Sequence, residues 1–194
     1  MGKFFTTLVV IVLIAIAAVV VFRAGGDDER SYESADSDGT DVQGSIIFGV
    51  TDEVVGLDSV RSLLVTIGDI ELHSTAQGWV PIDIPGKTFD LLELNREDVV
   101  ALWGKAQVRA ESYDQVRFSI EEVSVIEESN ATTSARVPSS LMRIVGDIVV
   151  SENATSSVTL DFLADRSLHE TVDGAYIFAP TVALRAMTGV TPRV

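Results

Sequence analysis

Few residues in this chain could do chemistry, and their spacing limits what that chemistry could be. Histidine occurs twice, at His73 and His169, and neither has another histidine at metal-ligand spacing. Glu71 and His73 stand two apart, so on a strand they leave the same face and could together approach a metal. With no third ligand at a matching spacing, a solvated or hydrogen-bonded pair is the expectation. His169-Glu170 is expected in a loop. Paired carboxylates occur at Glu121-Glu122, Glu127-Glu128 and Asp161/Asp165. Neighbours on a strand point to opposite faces, so Glu121 and Glu122 should not serve one substrate. Gly-x-Ser-x-Gly, Ser-x-x-Lys and His-Glu-x-x-His are all missing. The chain has no cysteine, which removes disulfides, thiolate metal sites, a cysteine nucleophile and a lipid-anchored cysteine. Asp36-Ser-Asp-Gly-Thr-Asp41 begins like a calcium loop. With Gly39 at the sixth position, however, the twelfth is Ser45, which lacks the bidentate carboxylate calcium needs. No catalytic, cofactor-binding or metal-ligating residue is assigned, and no cofactor is expected. Two sequons remain, Asn130-Ala-Thr132 and Asn153-Ala-Thr155, which make Asn130 and Asn153 candidate glycosylation sites.

The elements that position these residues read as short strands. Alternation runs through Ile46, Phe48 and Val50, through Val80, Ile82 and Ile84, and through Ala106, Val108 and Ala110. Val65 and Ile67 alternate in one phase and Ile70 and Leu72 in the other, so Gly68-Asp69 predicts a bulge. Val116, Phe118 and Ile120 likewise change phase at Glu121-Glu122 before Val123 and Val125. Further strands are predicted around Met142–Val150, Val158–Phe162 and Tyr176–Leu184, and Pro81 marks an edge strand. One short helix is predicted after an Asn95 cap, with Val99, Val100, Leu102 and Trp103 as its buried face and Gly104 as its stop. The sum is an all-β domain, an antiparallel sandwich of immunoglobulin-like or transthyretin-like kind with one short helix. Most aromatics fall inside these elements and should be core. Trp79, beside a turn and Pro81, is the one expected at the surface.

The chain has 194 residues, a net charge of −15 and yet a mean hydropathy of +0.30, so apolar and acidic residues are segregated. Residues 4–22 form an uncharged apolar run; as a helix it would span roughly 28 Å, close to the hydrocarbon core of a bilayer. Residues 1–23 are therefore read as a single transmembrane anchor, with a cleaved signal or a processed pilin-type leader as alternatives. Residues 24–43 hold seven acids and one base and are expected to be a disordered linker. The remaining 44–194 form the β-domain and still carry −11. A surface this acidic excludes nucleic acid as a partner. Eleven arginines against three lysines fit either a salt-adapted source or a coding bias.

Six phrases in the domain resemble one family: Gly44–Asp52, Gly78-Trp-Val-Pro81, Thr88–Leu94, Tyr113-Asp-Gln-Val-Arg117, Val158–Phe162 and Tyr176–Pro180. In this order they resemble the domain of unknown function 4382, found in secreted or membrane-anchored proteins of archaea and bacteria. The resemblance covers roughly residues 44–186. It implies a β-sandwich outside the membrane and brings no catalytic residue with it. Bacterial members often carry a lipid-anchored cysteine, which this chain replaces with an apolar run.

These readings together predict a non-enzymatic, single-pass protein of the cell membrane whose glycosylated body stands outside, structural or adhesive in the envelope. Its expected partners are the membrane, through residues 4–22, and other copies or other envelope proteins. A filament or pilus subunit is one alternative, and an envelope domain that binds a ligand or cation is another.

Overall fold

The computed structural model describes residues 42–52, 57 and 59–190. The predicted anchor and nearly all of the acidic linker lie outside the described residues. Among the described residues no helix is long and apolar enough to cross a membrane.

Among the described residues, twelve strands account for most of the body. They are β1 (Gln43–Asp52), β2 (Val60–Ser74), β3 (Gly78–Ile82), β4 (Lys87–Asp90), β5 (Ala101–Arg109), β6 (Ser112–Glu127), β7 (Thr132–Ser134), β8 (Leu141–Val149), β9 (Thr155–Phe162), β10 (Leu168–Glu170), β11 (Tyr176–Phe178) and β12 (Val182–Met187). The first sheet has the order β12-β9-β1-β5. The second is built on two long central strands, β2 and β6. The short strands β3 and β4 pair with successive stretches of β2, and β8 and β7 do the same along β6. β10 and β11 form a separate two-stranded ladder.

The period-two pattern explains the core. On β2, Leu63, Val65, Ile67, Ile70 and Leu72 are buried, and on β6 so are Val116, Phe118, Ile120, Val123 and Val125. They meet Ile46, Phe48, Val50, Val158, Leu160 and Phe162 of the first sheet. Phe118 and Phe162 touch edge to face with ring centres 6.1 Å apart, which ties the two sheets together. Both phase changes are real irregularities: the β2–β6 register shifts between Ile67 and Ile70, and again where Thr66 faces Glu122 and Ile67 faces Ile120. Each slip restores apolar side chains to the core after an extra residue. Pro81 sits on β3, an edge strand, where its missing N–H is harmless.

Three sequence expectations need correction. The sheets are antiparallel except for β1 and β9, which pair in parallel from Ser45–Thr155 to Asp52–Phe162. The helix α1 is Leu91–Glu97, earlier than expected. Asp90 is its N-cap and accepts from the Leu92 and Glu93 backbone, while Asp98 closes it with φ of 52°. Asn95 instead lies inside the helix, its side chain donating to the Asp52 carbonyl at 3.2 Å. Val99, Val100 and Leu102 are exposed, and Gly104 is a strand residue facing Ile84, whose side chain occupies the space a Cβ would need. The third correction is His169, which lies on β10 opposite Ile177 and not in a loop. A single further helical turn, α2 (Ala164–Ser167), follows β9.

Candidate functional site

The polar residues singled out by spacing come together on the outer face of the second sheet. Glu71 and His73 flank buried Leu72, so the pleat turns both outward. β6 lies beside them, with Arg117 opposite Glu71 and Gln115 opposite His73. Arg117 donates twice to Glu71, from Nη2 to Oε1 at 2.8 Å and from Nε to Oε2. Those hydrogen bonds hold the Glu71 carboxyl below the usual carboxylate range and push the Arg117 guanidinium higher. His73 Nδ1 lies 2.6 Å from Asp114 Oδ1.

Trp79 reaches this cluster from the edge strand β3, where it pairs with His73. Its ring centre is 4.9 Å from the imidazole and 4.2 Å from the Arg117 guanidinium carbon. Arg143 of β8, opposite Arg117, brings a second guanidinium to 5.1 Å. Each such exposed cation–π contact contributes about 0.5–1 kcal/mol. These contacts fasten neighbouring strands to one another. Glu71 is held ionised, which makes it a poor proton donor near neutrality, and His73 Nδ1 is engaged by Asp114. Among the described residues no three histidine, aspartate or glutamate side chains group closely enough to hold a metal ion.

Beside this cluster, a cleft of about 390 Å³ runs past Thr75, Asp114, Asp147 and Tyr113. Tyr113 is buried, and its hydroxyl donates to the Arg109 carbonyl at 3.0 Å. Burial first, and then the nearby Glu111 carboxylate, push its pKa up to about 12, so it stays a neutral donor.

A different surface covers the first sheet. Gly49 of β1 and the small polar Ser157 and Thr159 of β9 make a low floor between two apolar walls. Val100 and Leu102 rise on one side and Met187 on the other, 57%, 58% and 63% exposed. The groove between Val100 and Met187 holds about 300 Å³. At one end Arg185 donates to buried Asp161 at 2.8 Å.

The other candidates from the sequence are scattered. Asp161 is buried while Asp165 is exposed on α2, so they do not act as a pair. Glu127 accepts from the Tyr176 hydroxyl at 3.4 Å. Glu121 and Glu122 are both exposed, because the bulge between them breaks the alternation. Asn130 and Asn153 are exposed at turn tips with φ of 67° and 53°.

The model of the family described as Domain of unknown function (DUF4382) matches residues 43–180. The chain belongs to this family. No curated protein and no solved structure matches it. The DUF4382 match begins on the first residue of β1 and ends before β12, so the last strand of the first sheet falls outside it. Two phrases that carried the resemblance, Gly78–Pro81 and Tyr113–Arg117, meet around Trp79. Asp114, Arg117 and Arg143 were missed as cluster members because their partners lie on other strands. The only signal available beforehand was the outward phase of alternation on β6 and β8.

Proposed function

We propose that this DUF4382 protein is a non-enzymatic component of the cell envelope, anchored in the membrane through residues 4–22. Its body stands outside and acts structurally or adhesively, by docking. One observation carries this reading: the groups best able to do acid–base work hold each other, Glu71 with Arg117 and His73 with Asp114. What the body offers to partners is shape, aromatic surface and charge. The 19-residue apolar run and the acidic stretch of 24–43 support a tethered location, since a polar stalk would keep the domain clear of the bilayer. The two sheets over one core support a sandwich of immunoglobulin-like or transthyretin-like kind.

Protease treatment of intact cells producing the full chain tests this directly. The body should be removed from outside while a short membrane-bound fragment survives. A fully protected body recovered in the cytosol would sink the proposal.

A filament subunit is the second reading, favoured by the open edge of the first sheet. β5 has nine residues without proline and, among the described residues, forms a ladder with β1 alone, which suits strand addition by a neighbour. Negative-stain images of native surface material would show fibres if it is right and none if it is wrong.

A further inference from the structure

The two sequons differ once folded, although the sequence presents them alike. Asn130, Ala131 and Thr132 are all exposed. Their backbone bonds are local: Asn130 N–H donates to the Glu127 carbonyl and Glu127 N–H to the Ala131 carbonyl, both at 2.9 Å. Asn153 is exposed, but Ala154 and Thr155 are half-buried. Asn153 N–H donates to the Gln43 carbonyl at 3.1 Å, Ser45 N–H to the Ala154 carbonyl at 2.8 Å, and Val190 N–H to the Thr155 carbonyl at 2.9 Å. The second sequon is thus knitted to β1 and to the segment after β12. The side chains differ too. Arg61 binds the Oδ1 of Asn130, whereas Asn153 donates its Nδ2, the atom that would react, to Glu152 at 3.3 Å.

An enzyme that modifies a sequon must lift three residues into its own groove. At 130–132 that disturbs a hairpin tip; at 153–155 it breaks long-range ladder bonds. We propose that Asn130 is an N-glycan acceptor that stays competent on the folded body, while Asn153 is closed to modification once β1 has paired. This rests on the extracytoplasmic location proposed above. The step displaces the phosphate leaving group of a lipid-linked oligosaccharide. The Asn130 Nδ2–C1 bond forms, the sugar C1–O bond breaks, and one amide proton leaves to a base of the transferase, with no redox change.

The test is intact-mass and glycopeptide mass spectrometry of the full chain from its own membrane, alongside whole-cell protease accessibility. Occupancy at Asn130 should exceed that at Asn153. Thr132→Ala should remove most of the added mass and Thr155→Ala little of it. These variants keep both asparagines in their left-handed turns, where Asn is better tolerated than most side chains. Equal occupancy, or a glycan on Asn153 alone, overturns the proposal. An accessible body with neither site modified overturns it while leaving the location intact. A protected, unmodified body overturns both.

Discussion

Trp79 and Arg117 lie on strands that do not pair with each other, yet the guanidinium carbon sits 4.2 Å from the centre of the indole. β2 runs between them and supplies Glu71, which takes two hydrogen bonds from the same guanidinium. One arginine therefore fastens three strands, and Arg143 extends the layer to a fourth.

Removing the arginine should alter how stability depends on pH. The folded Glu71 pKa lies below its value of 4.5 in the unfolded chain, so its contribution is fully present above that value. It fades as pH falls through the lower folded pKa. Urea unfolding of wild type and Arg117→Met should differ most above pH 4.5, and the gap should narrow as pH falls through the lowered folded pKa of Glu71. An unchanged gap across that range would contradict the assignment.

Tyr113 should act at the alkaline end. Its pKa of about 12 exceeds the ordinary 10, so its contribution is complete below 10 and lost as pH rises through about 12. Burial and the Glu127 carboxylate also raise Tyr176, so absorbance titration should show late tyrosine ionisation from both, and Tyr113→Phe should remove the part at about 12. A phenol that ionised normally in the folded protein would contradict its burial.

Gly104 leaves room for Ile84, because a Cβ there would stand 2.5 Å from Ile84 Cγ2. Gly104→Ala should cost about 1–3 kcal/mol by overpacking. Ile84→Ala, which removes the γ carbons a Cβ at position 104 would meet, should recover part of that loss in a double-mutant cycle. Additive effects would show that the two residues are not in conflict.

Phe118 fills the space between the sheets against Phe162. Phe118→Ala should lower stability by about 3–5 kcal/mol in chemical denaturation. Asp90→Ala should cost about 0.5–2 kcal/mol, because Asp90 caps α1 and also accepts from the Leu63 backbone at 3.1 Å.

What could be read in advance follows the range of the forces involved. The strands, the bulge at Gly68-Asp69 and the slip at Glu121-Glu122 were legible because alternation is local and any phase change must be absorbed by the backbone. The helix lies earlier than its apolar pattern suggests, because Val99, Val100 and Leu102 mimic a helical stripe while the start is set by the Asp90 side chain capping Leu92 and Glu93. The parallel partnership of β1 with β9 and the gathering of Trp79, Glu71, Arg117 and Arg143 depend on which strands become neighbours. Register between distant segments is not written in any one of them.

The place of β1 has a mechanical consequence. It lies inside the first sheet, bonded to β5 on one side and β9 on the other, and the chain reaches it through Val42. Tension applied at Val42 and resisted at the opposite end of the body runs along β1, parallel to both ladders. Their hydrogen bonds are then loaded in shear and must yield together, whereas an edge strand would peel away one bond at a time.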